Sequence, residues 1–387
     1  MISLAVRSAR YQWGRSLLLF ACVMVIAGLP LISRSVVESF EDSLRNRAQT
    51  VPMLAGAAGS RFDLVLASLH WRVTDLTPIP LSIANDIGAE PGIDAIPIHI
   101  RFRAQGIPIA AVPYEYFERR ALIPKEGRLV AGLGESVLGS RAASQLGLQP
   151  GDELQSDQLR SYDITAPPAV ILPVVGILDE TGTPDDYAVF VDLETAWIIE
   201  GIAHGHEQAS KITDPNLLLG KSDDRVALSG AVIEYQRIDE ATTSSFHLHA
   251  DRETLPITAV QIFPNSKKSA TLVRTRINAD PTLQALSPST VSEELIGSVL
   301  QIRRLIDAVS FVVGVAMLGL LFLVILMTYR ARANEVRTLL DIGASRAQVS
   351  IIFFIEFGGI IAGGVAAAYI VALVSTNFSD QILALFT

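Results

Sequence analysis

The 387-residue sequence predicts an integral membrane protein with three α-helical spans and a large α+β extracytoplasmic domain on helical stalks. Three observations predict it. The hydrophobic half of the composition is concentrated at the two chain ends, and arginines flank the apolar runs on alternate sides. Between the ends lie β-branched segments punctuated by Pro and Gly. With 50% hydrophobic and 18% charged residues, a disordered or collagen-like polymer is excluded. The lone Cys22 excludes an internal disulfide and a cysteine-rich zinc scaffold.

Residues 1–16 carry Arg7, Arg10 and Arg15 and no acid, and are expected on the cytoplasmic side. Residues 17–33, LLLFACVMVIAGLPLIS, hold no charge and stand near the lower length limit of a membrane-spanning helix. No small-x-small cleavage site follows them, and bulky Phe20 sits where a lipoprotein signal ending at Cys22 needs a small residue. A retained first span is therefore expected. Residues 309–328 form an uncharged run of full spanning length, and residues 348–376 form a third, interrupted only by Glu356. The loop 329–347 between them carries Arg330, Arg332, Arg337 and Arg346 against Glu335 and Asp341, which places it inside. Residues 34–308 then lie outside, where 24 basic and 36 acidic residues leave −12 of the chain's net −9, and the tail 377–387 lies outside as well. So acidic a domain repels phosphates and speaks against nucleic acid.

Val36, Phe40 and Leu44 recur at a spacing of four just after the first span. Leu295, Val299, Ile302 and Ile306 recur at four, three and four just before the second. Both stripes predict helices continuing out of the membrane as stalks, which pack on the domain base or relay movement to it. Between the stalks, IHIRF (98–102), AVILPVVGIL (169–178) and YAVFVDL (187–193) read as strands. ESVLGSRAASQLG (135–147) reads as a helix ended by Gly147, followed by the turn LQPGDEL. A segment of this length is expected to form two subdomains.

Catalytic motifs fail on inspection, and no enzymatic activity is expected of this chain. Gly220-Lys221-Ser222 lacks the earlier glycine of a phosphate loop, since position 215 is Pro. Gly134-Glu135-Ser136-Val137-Leu138 fails a nucleophile elbow at its last position, and His206-Glu207 is followed by Gln208, Ala209 and Ser210 rather than by a zincin helix. Two histidine pairs, His204/His206 and His247/His249, have the spacing that puts imidazoles on one face of an extended segment. They are candidate metal ligands or ordinary surface histidines. Glu356 within the third span predicts packing or pairing at a subunit interface, and Gly359 and Gly363 on the same helix have small-xxx-small spacing.

The stretch ARANEVRTLLDIGASRAQVSIIFFIEF, residues 331–357, resembles the cytoplasmic coupling segment of the MacB/FtsX/LolC-type ABC transporter permeases, the type VII or mechanotransmission superfamily. The matching positions are Arg332, Glu335, Gly343, Ala344, Ser345 and Glu356, in the family's order and between two spans. ESVLGSRAASQLGLQPGDEL and VVGILDETGTPDDYAVFVDLETAW are similar to the periplasmic core domains of the same permeases. The resemblance implies a multi-pass protein of the inner membrane with its large domain in the periplasm or outside the cell. It implies a second permease copy or paralogue as dimer partner and a separate cytoplasmic ATPase that binds ATP and Mg, this chain binding no cofactor itself. A periplasmic adaptor or outer-membrane partner would accompany an export system. Independently of the resemblance, Val336, Leu339, Leu340 and Ile342 form an apolar face on a short helix flanked by arginines, fit to dock in a groove of another protein or to lie on membrane lipid.

No ATPase domain accompanies the segment, so the resemblance is to the split members. The family commonly has a fourth span, whereas the tail SDQILALFT is too short to cross a membrane, and a truncated permease or a three-span variant is expected. The expected function is a permease that couples ATP hydrolysis by its partner to movement of the outer domain, for export or extraction of an envelope substrate. The alternative is a membrane-anchored scaffold or sensor regulating an envelope partner such as a hydrolase.

Overall fold

A computed structural model describes residues 13–157, 169–205, 218–222, 225–228, 238, 246–248 and 250–386. The sequence readings that fall on residues 1–12, on His206 and on His249 lie outside the described residues. Two compact units divide the chain, one of residues 1–44 with 294–386 and one of residues 45–293.

In chain order the outer unit begins at the end of α1 (Trp13–Gln49). It continues through β1 (Met53–Ala57), α2 (Arg61–His70), β2 (Ile79–Pro80), α3 (Leu81–Gly88), β3 (Ile93–Ala104), β4 (Ile107–Ala111) and α4 (Tyr114–Arg120). Next come β5 (Pro124–Gly127), β6 (Ser136–Leu138), α5 (Ser140–Leu146), β7 (Glu153–Gln155), β8 (Ile171–Leu178), β9 (Val189–Val191) and α6 (Leu193–Ile199). The last strands are β10 (Ala203–Gly205), β11 (Leu218–Ser222), β12 (Arg225–Leu228), β13 (Phe246–Leu248), β14 (Pro256–Ile257) and β15 (Ala259–Pro264), then α7 (Lys267–Ile277) and β16 (Leu283–Leu286). Three helices complete the chain: α8 (Pro288–Ala331), α9 (Ala333–Asp341) and α10 (Arg346–Phe386).

One ten-stranded mixed sheet organises the outer unit, in the order β16-β1-β15-β3-β4-β9-β6-β8-β5 with β7 paired to β8. Pairing is antiparallel except for β4 with β9 and β6 with β8. Each face of the sheet carries its own core, as the alternation of side chains along a strand requires. Met53, Ala55 and Ala57 of β1 belong to one core and Leu54 to the other. In β3, Ile96, Ile98 and Ile100 face the second core, but Phe102 and Ala104, at the same parity, face the first. A register shift between Ile100 and Phe102 accounts for it, because one extra residue in a bulge turns the following side chains over.

The segment 135–147 is not one helix. Ser136–Leu138 is strand β6, held between β8 and β9, and the helix occupies only Ser140–Leu146 before Gly147 caps it at φ 68°. Val137 and Leu138 are fully buried on opposite faces of the sheet, and that burial overrides the local helical pattern. Gly139 makes the change of direction. A Cβ there would stand 2.3 Å from the Asp185 carbonyl oxygen, so no other residue fits without moving the backbone. Strand β8 agrees with the reading of 169–178. The strand expected over 187–193 is confined to Val189–Val191, because Asp192 caps α6 by accepting a hydrogen bond from the Thr195 backbone N–H at 2.9 Å.

Among the described residues three helical segments are long and apolar enough to cross a membrane: Ser16–Gln49, Arg304–Ala331 and Arg346–Val374, whose 18-residue apolar windows have mean hydropathies of 2.4, 2.9 and 2.2. Helices α1 and α8 each run without a break past their apolar stretch; the side chains of Val36, Phe40, Val299 and Ile302 lie outside the described residues. The tail is not separate from the third span, since α10 continues to Phe386. Within the unit of residues 1–44 and 294–386, α1 meets α10 through small residues. Gly28 faces Ala368, and a Cβ built on Gly364 would meet Val23 Cβ at 2.9 Å. Gly364, Ala368 and Ala372 are buried at intervals of four, the spacing that lets membrane helices approach closely.

Candidate functional site

Charged side chains gather in two places: a helical hairpin at the end of the second candidate span, and a buried cluster around Arg47 and Asp185.

At the hairpin, α8 ends at Ala331 and Arg332 takes a non-helical conformation before α9 begins. The Arg332 guanidinium donates to Glu356 Oε2 at 2.8 Å and lies 5.1 Å from the Phe353 ring centroid. Glu356 is buried, and Arg332 gives its carboxylate a counter-charge within the same chain. Tyr329 packs on Phe353, with ring centroids 6.1 Å apart, and Phe353 stacks on Phe357. The base of the hairpin is thus pinned by an ion pair and three aromatic rings.

The Gly-Ala-Ser stretch forms the return. Gly343 has φ 94°, a left-handed conformation that favours glycine, and closes the end of α9 by donating to the Leu340 carbonyl at 3.0 Å. Ala344 is half-buried. The Ser345 hydroxyl accepts from the Gln348 N–H at 3.3 Å, and Gln348 Oε1 accepts from the Ser345 N–H at 2.8 Å, a reciprocal cap that starts α10. Val336 and Leu340 are half-buried on α9, whereas Ile342 is 76% exposed. Glu335 and Leu339 lie on α9, with side chains outside the described residues. Of the packing glycines, a Cβ built on Gly363 would stand 3.7 Å from the Phe20 ring, whereas one on Gly359 would meet nothing within 4 Å.

The second place was not singled out by its sequence. Arg47, in the last turn of α1, is buried and makes four hydrogen bonds. Nη1 and Nη2 reach the two carboxylate oxygens of Asp185 at 2.8 and 2.7 Å, Nη2 also reaches Tyr116 Oη at 3.0 Å, and Nε reaches the Leu69 carbonyl at 2.8 Å. Asp185 is 0% exposed and also accepts from Trp71 Nε1 at 3.0 Å, Tyr116 Oη at 2.8 Å, Thr183 Oγ1 at 3.1 Å and Arg120 Nη2 at 3.3 Å. A carboxylate so surrounded has its lone pairs satisfied, which is the condition for a charge pair to persist without water. Burial opposes the Arg47 charge, but Asp185 and Tyr116 outweigh it and hold the guanidinium above the ordinary arginine range. Burial holds the Tyr116 hydroxyl protonated far above the usual tyrosine value. His70 is held neutral, its pKa pushed down to about 3 by burial first and the nearby Arg47 charge second.

Backbone conformation delivers these groups. Trp71 ends α2 in the left-handed region at φ 59°, and Ala121 ends α4 there at φ 51°, directly after Arg120. Non-glycine residues in that region cost about 1–2 kcal/mol each, so the cluster is held against local strain. Rings of Trp71, Tyr116 and Phe190 enclose it, at centroid separations of 5.5 to 6.0 Å.

The histidine pairs meet in part. β10 and β13 form a two-stranded antiparallel sheet in which His204 is directly opposite His247. Among the described residues no group of three or more His, Cys, Asp or Glu side chains could hold a metal ion. A groove of about 1020 Å³ in the outer unit is lined by Asp94, Glu118, Arg119, Arg252 and Glu253 among others. Arg119 pairs there with Asp94, Arg252 with Glu194, and Glu253 accepts hydrogen bonds from Asn85.

Comparison with known proteins finds no matching family model and no matching curated protein. Among solved structures, the periplasmic region of MacB from Actinobacillus actinomycetemcomitans is similar at 11% identity and a TM-score of 0.38, over 65% of this chain and 97% of that one. The extracellular domain of the noncanonic ABC-type transporter YknZ from Gram-positive bacteria is similar at 10% identity and a TM-score of 0.34, over 60% of this chain and 98% of that one. Likeness at this distance assigns neither fold nor activity to the chain.

Proposed function

We propose that the chain is the permease subunit of an ABC transporter, in which a separate cytoplasmic ATPase drives movement of the outer domain to export or extract an envelope substrate. The observation that carries this reading is the hairpin α8–α9–α10. A short amphipathic helix stands between two candidate spans, its base is fixed by Arg332 and Glu356, its return is fixed by Gly343 and Ser345, and apolar Ile342 is left exposed. Rigid at both ends and apolar at its tip, it suits a protein groove that pushes on it. The likeness of residues 331–357 to the coupling segment of MacB/FtsX/LolC-type permeases supports the same reading, as does the arginine bias that places the hairpin inside.

In this account the helices transmit and the outer cluster receives. Helices α1 and α8 are unbroken, and Arg47 ties the end of α1 to Asp185, Tyr116 and the α2 carboxyl end. A displacement of α1 therefore acts on the sheet through bonds rather than through a flexible linker. Dimerisation with a second copy or a paralogue and engagement of a periplasmic adaptor or outer-membrane partner belong to the same proposal.

Co-purification of the chain from its native membranes with an ABC-type ATPase tests it. The wild-type chain is expected to retain the ATPase in detergent, and Ile342→Asp to lose most of it while still inserting in the membrane. Equal recovery with both proteins would remove the docking role of the hairpin.

A further inference from the structure

We propose that the first half of β3 is an open sheet edge that takes up, by strand addition, an extended segment of a partner polypeptide in which apolar and basic side chains alternate. Strand β3 has a neighbour on each side, but neither follows its whole length: β15 pairs with Ile93–Ile98 and β4 with residues from His99 to Ala104. In the β3–β4 register, the facing pair two positions beyond His99 and Ala111 is Pro97 with Pro113, and neither has an N–H to give. From Pro113 the chain turns into α4. The ladder between the two strands therefore ends for a covalent reason, and the first half of β3 is left without a neighbour on that side.

Toward β15, the Gly92 carbonyl accepts from the Asn265 N–H and the Ile98 carbonyl from the Thr258 N–H, both at 2.9 Å. Even-numbered residues thus bond to β15. The alternation of an antiparallel strand then turns the N–H and C=O of Ala95, with the carbonyls of Ile93 and Pro97, to the side that β4 has left. Residues 93–97 border the groove of about 1020 Å³. An unpaired row of backbone amides is a template for one more strand. The groove's walls set its side chains. Leu81 and Gly88 of α3 border it on the face of the first core, Glu115 and Glu118 of α4 on the face of the second. Arg119 is engaged by Asp94 and lies 4.5 Å from the Phe263 ring centroid, whereas Glu115 and Glu118 are exposed and have no ion-pair partner among the described residues. Side chains of an added strand alternate between the two walls, so one set meets Leu81 and the other meets free carboxylates. A second copy of this chain would set the same acidic patch against itself and is disfavoured. The proposal is independent of the permease reading, since it draws only on groups within residues 45–293.

Fluorescence anisotropy of a labelled VKVKVKV peptide, titrated with the full chain in nonionic detergent, tests it, with hydrogen exchange as a second readout. Saturable binding is expected, together with slower exchange in residues 93–97. The same peptide N-methylated on alternate amides is expected to lose both effects, because it keeps the charges but cannot pair as a strand. The double variant Glu115→Gln/Glu118→Gln is expected to bind the probe about threefold or more weakly, since two exposed charge pairs are removed. Its melting curve should superpose on the wild type, because both side chains are exposed. Absence of saturable binding, equal binding of the N-methylated peptide, or unchanged exchange in residues 93–97 would overturn the proposal. Probe binding that weakens as the chain self-associates would give the edge to a second copy and overturn it as well.

Discussion

Asp185 is the residue on which the outer unit's polar interior turns, with hydrogen bonds from Arg47, Arg120, Trp71, Tyr116 and Thr183. Removing one partner of such a buried pair leaves the other charge without compensation, at a cost of about 3–5 kcal/mol, whereas replacing both by apolar groups costs far less. Arg47→Met and Asp185→Leu are therefore each expected to lower the denaturation midpoint of the full chain in detergent, and the double variant to recover much of the loss. Additive effects in that double-mutant cycle would show that the two groups do not interact. His70 yields a separate test. Its unfolded form takes up a proton near pH 6.5, but its folded form does so only near 3. Between those values the unfolded state holds more protons, so the stability linked to His70 is complete above about pH 6.5 and is lost as the pH falls. His70→Leu is expected to flatten the stability profile across that window, and parallel profiles for the two proteins would refute the assignment.

At the scale of elements, turn chemistry was legible in the sequence and burial was not. Gly147 ends its helix as expected because a left-handed cap needs glycine, a local requirement. Ser136–Leu138 read as helix because its residues permit one, yet its neighbours in the sheet, β8 and β9, come from sequence more than thirty residues away and make it a strand. The charge cluster was invisible for the same reason. Nothing local in Thr183-Pro184-Asp185-Asp186 marks an interior anchor, and the approach of Arg47, 138 positions distant, makes Asp185 one. In the hairpin the apolar face and the Gly-Ala-Ser motif were legible, while the Arg332–Glu356 pair needed α8 and α10 to be brought together. Between the candidate spans α1 and α10 the closest packing is at Gly364 and Ala368, the first of them one position along from the Gly363 that the sequence marked. Gly364→Leu is expected to drive α1 and α10 apart and to lower the yield of monodisperse protein sharply, whereas Gly359→Leu should leave it unchanged. Size-exclusion profiles giving equal yields for both would contradict the observed packing.

For the whole molecule, sorting charge along the chain turned a mean property into an arrangement: an acidic middle segment, three candidate spans and an arginine-rich loop between the second and third. Function follows from connection rather than from chemistry in this account. A hairpin suited to receive a push and an anchor suited to deliver it stand at the ends of continuous helices. Hydrogen exchange in residues 45–293 of the reconstituted complex, with the partner ATPase held in ATP-bound and nucleotide-free states, tests that claim most directly. Protection around Arg47, Tyr116 and Asp185 is expected to differ between the two states in the wild type and to be the same in both for Ile342→Asp. Identical protection of the outer domain in both states of the wild-type complex would contradict the account.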